Sequence, residues 1–179
     1  MAANDTKTHT QWLSEDELGM VRDRVPMVYV EVVPVRVNHL GAVERVGLLL
    51  RHRPDGSISR AVVSGRVLYR ETVRQALWRH LAKDLGPEAA PKVPSAPAPF
   101  TVAEYFPEPS PSGFVDPRQH AVALAYVVPV EGTCEPAQDA LDLVWLTPEE
   151  VTRPAVAREM SGGQDRLVRL ALAHAGVLP

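Results

Sequence analysis

Residues 65–86 read GRVLYRETVRQALWRHLAKDLG, and this stretch decides the fold class of the 179-residue chain. Thr72 is followed three positions later by Gln75, the spacing of a capping box that begins a helix. Gly86 and Pro87 end the helix, because proline lacks the amide donor that another turn would need. Between these signals, apolar side chains recur every three or four residues, as on one buried helix face. The members of this apolar stripe are Val73, Ala76, Leu77, Leu81 and Leu85.

The segments on either side of this helix are mostly predicted strands. Met27–Val37 is dense in β-branched residues but contains Pro34, which is typical of an edge strand or a bulged strand. Other strands are predicted at Val43–Arg51, Arg60–Val63, Phe100–Phe106, Gln119–Val130 and Leu141–Leu146. Helices are predicted to begin at Ser14, at Thr147 and between Ser161 and Gln164. Strands outnumber helices in a mixed order, which favours an α+β or α/β sandwich with a mixed β-sheet.

Length and composition favour one globular domain. Hydrophobic residues make up 45% and charged residues 23% of the chain, which is ordinary for a folded protein. We predict a disordered lead over residues 1–11 and a single domain over residues 12–179. A proline-rich loop over residues 87–111 lies within that domain. The lone Cys134 cannot form an internal disulfide, which fits a reducing compartment.

Charge and hydropathy argue against two classes of partner. The formal net charge of −3 does not favour nucleic acid, which binds basic surfaces. No apolar run reaches the length of a membrane span, and the polar first residues carry no secretory signal. We therefore expect a cytoplasmic protein with no nucleic-acid partner and no membrane partner.

The spacing within residues 65–86 resembles the Nudix box, Gly-x5-Glu-x7-Arg-Glu-U-x-Glu-Glu-x-Gly-U, where U is a bulky apolar residue. The matching positions are Gly65, Glu71, Arg79, Leu81 and Gly86. The stretch VWLTPEE at residues 144–150 is similar to a strand-to-helix junction of the same family. The resemblance spans roughly Val28 to Gly176 and implies a Nudix-like α/β/α sandwich with a mixed sheet.

The resemblance also implies a damaged metal site, because the glutamates of the box are replaced. In the family, these glutamates bind Mg²⁺ or Mn²⁺, which prefer anionic oxygen ligands. Here the first position is His80, the second is Lys83, and the third is the shorter acid Asp84. At 100° per residue, the three share one helix face. We therefore expect weak binding of Mg²⁺ or Mn²⁺, or none.

Each box residue has a functional and a structural interpretation. Lys83 either contacts phosphate in place of the cation or pairs with a carboxylate such as Asp84. His80 is a packing residue, a metal ligand or a general acid–base. Asp84 and Glu71 are the remaining candidates for a metal contact. Glu71 and Arg79 more often support the architecture, and we expect Gly65 to occupy a loop conformation with positive φ.

A second candidate site lies outside the box. Asp116-Pro117-Arg118-Gln119-His120 precedes a predicted core strand, and Nudix proteins often place substrate contacts on such loops. Arg118 could bind phosphate with help from His120, although a simple turn is the plainer interpretation. Glu104 and Glu108 are candidate replacement carboxylates. The three tryptophans are expected to pack rather than to stack on bases.

Three functions follow from the resemblance. The first is a Nudix-fold protein that binds a nucleotide or phosphorylated small molecule, with weak or no hydrolysis. The second is a divergent divalent-metal-dependent hydrolase of a nucleoside diphosphate linked to another moiety. The third is a metal-free reaction with His80 as general acid or base. Whether the protein is an enzyme stays open at this point, as does a homodimer formed through the N-terminal segment and the strand at Val28–Val37.

Overall fold

A computed structural model of the protein describes residues 12–53, 55–136 and 140–177. The predicted disordered lead, residues 1–11, lies outside the described residues. The helices are α1 Glu15–Arg22, α2 Val73–Leu85, α3 Pro148–Val151, α4 Pro154–Glu159 and α5 Gln164–His174. The strands are β1 Met27–Val37, β2 Val43–His52, β3 Ile58–Ala61, β4 Val63–Arg66, β5 Ala89–Pro91, β6 Thr101–Phe106, β7 Phe114–Val115, β8 Ala121–Gly132 and β9 Asp142–Leu146. None of the described helices is long and apolar enough to cross a membrane.

The strands form a mixed sheet, as the order of elements predicted. Its main path runs β3-β2-β1-β8-β6-β7, with β4 paired to β1, β5 to β8 and β9 to β2. The central pair, β1 and β8, is parallel from Met27 to Val35. The pairs of β1 with β2 and with β4 are antiparallel. β1 therefore lies in the interior of the sheet.

Of the two alternatives predicted for β1, the edge strand is wrong, and the register shift between Arg36 and Val37 agrees with the bulged strand. β8 covers one side of β1, while β4 and then β2 cover the other side. Pro34 falls between the residues paired with β4, Tyr29–Val32, and those paired with β2, Val35–Val37. Its missing amide donor therefore interrupts neither of these two ladders. Because both sides of β1 are occupied, this strand offers no free edge for a homodimer.

The two faces of β1 carry the two halves of the core. Val30 and Val32 point to one face and pack with the apolar stripe of α2. Val33 and Val35 point to the other face and pack with α5. This alternation follows from the two-residue period of a strand. The helices on both faces of the sheet confirm the predicted α/β/α sandwich.

Local sequence signals account for most of the elements. The predicted capping boxes are present at Ser14, Thr72 and Thr147. The predicted strand at Arg60–Val63 is instead two strands, β3 and β4, which break at Val62. The amide of Val62 donates to Oε1 of Gln164 rather than to a strand partner (3.2 Å). The short elements β5, β7 and α4 were not predicted, and both β5 and β6 lie within the expected loop at 87–111.

Gly65 requires a correction, because it lies in β4 and not in a loop. It pairs with Val30 of β1 and does not have a positive φ. What requires glycine here is the imidazole of His80 on α2. A Cβ built at Gly65 would lie 1.8 Å from Cε1 of that ring. Glycine therefore lets the His80 ring lie directly against the backbone of β4.

Replacing Gly65 with alanine should destabilise the protein by about 1–3 kcal/mol, the usual cost of overpacking a core. The new methyl group cannot fit unless the His80 ring or β4 moves. Urea unfolding of the Gly65→Ala variant measures this cost. In a His80→Ala background the same change should cost much less, because the ring that it meets is gone.

The matched control is Gly19→Ala, since Gly19 lies inside helix α1 and has no atom near the position of its Cβ. This change should stabilise the protein by up to about 1 kcal/mol, as expected for alanine in a helix. Equal effects at the two glycines would contradict the close contact between β4 and His80.

Candidate functional site

The loop that leads into α2 is held by a bidentate ion pair between Glu71 and Arg79. Arg79 donates from Nε to Oε1 and from Nη2 to Oε2 of Glu71, both at 2.7 Å. The same Nη2 also donates to the carbonyl of Arg66 (2.8 Å), and Oε2 of Glu71 accepts the amide of Leu68 (2.9 Å). Hydrogen bonds from Arg79 lower the pKa of Glu71. Both oxygens of this candidate metal ligand are therefore engaged within the loop.

His80, the candidate acid–base, is 6% exposed and packs against β4. Its Nε2 lies 3.0 Å from the carbonyl of Arg66, so this nitrogen carries the proton and donates it. Burial lowers the pKa of His80, and the nearby cations of Arg79 and Lys83 lower it further. The lowered pKa favours the neutral imidazole, and the ring lies in the interface between helix and sheet.

Asp84 is the one carboxylate at residues 79–85, and its side chain is 1% exposed. Its Oδ1 lies 3.3 Å from Nζ of Lys83, and its Oδ2 lies 3.5 Å from Nη2 of Arg51 on β2. Two cations thus share one buried carboxylate. The ion pair with Asp84 was one of the two interpretations of Lys83, and it is the one that the structure displays.

These residues do not fit a divalent cation. Among the described residues, no group of three or more His, Cys, Asp or Glu side chains is placed to hold a metal ion. Lys83 has no lone pair to offer, His80 is tied to Arg66, and Asp84 already faces two positive charges. Mg²⁺ and Mn²⁺ need several oxygen ligands at once. Glu104 and Glu108 join no such group either.

A cavity of about 420 Å³ opens on the opposite face of the sheet, the face covered by α5. Its wall includes Tyr29 and Glu31 of β1, Ser64 of β4 and Tyr105 of β6. Gln164, the first residue of α5, closes it from the helix side. A volume of this size falls in the range of small-molecule pockets.

Glu31 is the most unusual residue of this cavity, because it has an ionisable side chain and yet is only 3% exposed. Its Oε2 accepts the hydroxyl of Tyr105 (2.7 Å), and its Oε1 accepts Nε2 of Gln164 (3.2 Å). Among the ion pairs of the described residues, none involves Glu31. Burial raises the pKa of Glu31 although the hydrogen bonds oppose the shift. Burial and the neighbouring Glu31 also raise the pKa of Tyr105.

The candidate cluster before β8 is divided by the structure. Arg118 forms a bidentate pair with Asp116, at 2.9 Å from Nε and 3.0 Å from Nη2, and both residues line the cavity. Burial would raise the pKa of Asp116, but hydrogen bonds from Arg118 and Gln119 outweigh it and the pKa is lowered. His120 does not line the cavity and stacks on Phe106, with 4.5 Å between ring centroids. Arg118 is therefore the predicted phosphate contact that lies at the cavity.

Sequence reasoning missed most of the cavity. Glu31 was passed over because it was included in a β-branched strand, yet one acid within the run VYVEVVPV is itself a signal of a buried polar site. Tyr105 and Gln164 carried no such signal. They meet Glu31 only in the folded protein, where Tyr105 reaches it from β6, two strands away in the sheet, and Gln164 reaches it from the start of α5. The separations along the chain are 74 and 133 residues.

A solved structure of high sequence identity and one family model match this chain. A possible asymmetric diadenosine tetraphosphate hydrolase from Jonesia denitrificans DSM 20603 is 58% identical, with a TM-score of 0.84, over 87% of this chain and 98% of that chain. The chain belongs to the family described as a domain of unknown function (DUF4916), whose model matches residues 8–177.

More distant structures share the fold. A Nudix-family hydrolase from Clostridium perfringens is 15% identical with a TM-score of 0.60, over 87% of this chain and 99% of that chain. The Nudix domain of Shewanella oneidensis NrtR, solved with ADP ribose, is 16% identical with a TM-score of 0.55, over 90% and 98% of the two chains. A search of curated proteins finds no match.

Replacing Glu31 with glutamine should change the pH dependence of stability. Because the folded pKa of Glu31 is raised above 4.5, its favourable contribution is complete below that pH and is lost as the pH rises through the folded pKa. The unfolding free energy of the wild type should therefore fall relative to that of Glu31→Gln as the pH rises above 4.5. Urea unfolding at several pH values from 4 to 8 measures the difference between the two unfolding free energies. Its dependence on pH should correspond to the ionisation of roughly one group.

Glu104→Gln is the control, because Glu104 is an exposed carboxylate of β6, the strand that also carries Tyr105. A difference between wild type and Glu31→Gln that grows in the opposite direction would show that Glu31 is stabilised as an anion in this cavity.

Proposed function

We propose that this protein binds a nucleotide or another phosphorylated small molecule in the cavity on the α5 face, with weak or absent metal-dependent hydrolysis. The observation that carries the proposal is that Asp84 is buried and paired with two cations. Its buried carboxylate faces Lys83 and Arg51, so a divalent cation would have to displace two built-in positive charges. The removal of carboxylate ligands from a hard-metal site weakens the affinity for the ion.

The cavity has the chemistry of a site for a polar aromatic ligand. The rings of Tyr29 and Tyr105 provide apolar surface against which an aromatic base can lie. Arg118 at the cavity has a side chain that is 66% exposed. It can exchange Asp116 for a phosphate group, which a guanidinium binds in the same bidentate way.

The other candidate residues take structural roles in this proposal. His80 and His120 pack against β4 and Phe106, so neither is proposed to act as an acid or base. Lys83 stands on α2, on the other side of the sheet from the cavity, and pairs with Asp84. A cytoplasmic location and the lack of a nucleic-acid partner stay predictions, as does a homodimer, for which β1 no longer gives a reason.

The distant NrtR domain supports the proposal as an example of this fold with a nucleotide ligand, since it was solved with ADP ribose. At 16% identity it supports the class of ligand and no individual contact.

The alternative is a divergent hydrolase of a nucleoside diphosphate linked to another moiety. The similar structure from Jonesia denitrificans, described as a possible asymmetric diadenosine tetraphosphate hydrolase, favours this function. It would need Mg²⁺ or Mn²⁺ at Asp84 and Glu71, and both carboxylates would first have to leave their present partners.

Calorimetric titration with AMP, ADP, ADP-ribose and diadenosine tetraphosphate tests the proposed function. At least one of them should bind in the micromolar to low millimolar range. Ser161 lies exposed at the cavity, so Ser161→Trp should block the mouth and weaken binding at least tenfold. Ser95→Trp, at an exposed position that does not line the cavity, is the matched control and should bind as the wild type does.

The same nucleotides incubated with Mg²⁺ or Mn²⁺ separate the two functions. The proposal predicts little or no release of mononucleotides from diadenosine tetraphosphate. Metal-dependent turnover that is lost in Asp84→Asn would establish the hydrolase instead. Binding that is the same in Ser161→Trp and in wild type would reject the cavity as the site.

A further inference from the structure

We propose that Glu31 selects the base of the ligand by accepting a hydrogen bond from an exocyclic amino group at the inner end of the cavity. This inference rests on the proposed function, because it names the chemical class of base that the cavity takes. A hydrogen bond between the base and Glu31 would also orient the ligand, with the base inside the cavity and the phosphates outside at Arg118.

The first support is the hydrogen-bonding capacity of the Glu31 carboxyl group. A carboxylate has about four positions at which it accepts hydrogen bonds. Tyr105 and Gln164 occupy one position on each oxygen, and Ser64 adds a hydrogen bond that lowers the pKa of Glu31. Capacity for a further donor remains, and in the described residues no cation pairs with Glu31.

The second support is that three donors next to Glu31, those of Tyr105, Gln164 and Gln119, already point at protein acceptors, although the Tyr29 hydroxyl accepts from Gln119 and keeps its own hydrogen to donate. Tyr105 and Gln164 direct their donors at Glu31 itself. Gln119 donates to the hydroxyl of Tyr29 (2.9 Å) and to Oδ2 of Asp116 (2.8 Å). The wall beside Glu31 therefore offers a ligand mainly acceptors, whereas a phosphate needs donors. An amino group satisfies this wall, and a carbonyl oxygen at the same place does not.

The third support is the cost of an unsuitable ligand. Glu31 is buried, and a ligand that closes the cavity without donating to it leaves a desolvated acceptor unpaired. Sites that are built to pair a polar group discriminate strongly against analogues that lack the partner. The position of Glu31 therefore makes discrimination between bases the expected behaviour of this cavity.

The test uses three nucleosides that differ in one group, namely adenosine, purine riboside, which lacks the amino group, and inosine, which has an oxygen there. Competition against a bound fluorescent ADP analogue measures the affinity of each. Adenosine should bind wild type at least tenfold more tightly than either analogue. Equal affinities in wild type would overturn the inference, and this comparison requires no variant to fold.

Glu31→Gln is the second arm, because glutamine can turn either a donor or an acceptor toward the base. The preference for adenosine over inosine should fall to about threefold or less in this variant, while Glu104→Gln should keep the wild-type preference. A Glu31→Gln variant that retains the full preference would assign the selection to another residue.

These outcomes are distinct from a failure of the proposed function. If no nucleotide binds and Ser161→Trp changes nothing, the function itself is rejected. If ADP binds and Ser161→Trp blocks it, but the three nucleosides compete equally, the function stands and the role of Glu31 is rejected.

Discussion

The contact between Gly65 of β4 and the imidazole of His80 determines how the helix α2 lies on the sheet. A side chain at residue 65 would overlap the ring, so β4 must present bare backbone at this point. The ring in turn bonds to the carbonyl of Arg66, to which Arg79 also donates. One glycine and one histidine thus join strand, loop and helix. The Nudix pattern has a metal-binding glutamate at the position of residue 80, whereas His80 of this chain packs against β4.

The same packing explains why Asp84 is buried one turn further along α2. Its carboxylate needs partners in a place that water does not reach, and Lys83 and Arg51 provide them. Removal of either cation would leave a buried charge undercompensated. In this structure Asp84 takes part in ion pairs with these two cations, while the pair of Glu71 and Arg79 holds the loop before α2. The cavity lies on the other face of the sheet, where residues of β1, β4, β6, β8, α5 and the loop before β8 line it.

Much of the fold could be predicted from the sequence, because its signals are local. The capping boxes at Ser14, Thr72 and Thr147 and the period of the apolar residues locate the helices and the long strands. The interior position of β1 could not be predicted, because proline is typical of edge strands. Only the structure shows that the pairing partner of β1 changes from β4 to β2 at Pro34. The role of Gly65 was missed for a similar reason, because the atom that excludes a side chain lies 15 residues away in the chain.

The candidate site was only partly predictable. His80, Lys83 and Asp84 stood out because they replace the expected glutamates, and Arg118 stood out as a charged residue before a core strand. Glu31, Tyr105 and Gln164 are far apart in the sequence and come together only in the folded protein, since they lie on β1, β6 and α5. Buried polar clusters of this kind are formed by packing, so their members have no characteristic spacing in the sequence.

The most direct test of this account is a crystal structure of the protein grown with ADP and Mn²⁺, with anomalous scattering measured at the manganese edge. The account predicts ADP in the cavity, its base against Glu31, with Asp84 still paired to Lys83 and Arg51 and no manganese signal beside it. A manganese ion bonded to Asp84, with Lys83 turned away and the diphosphate of ADP on the α2 face, would contradict it.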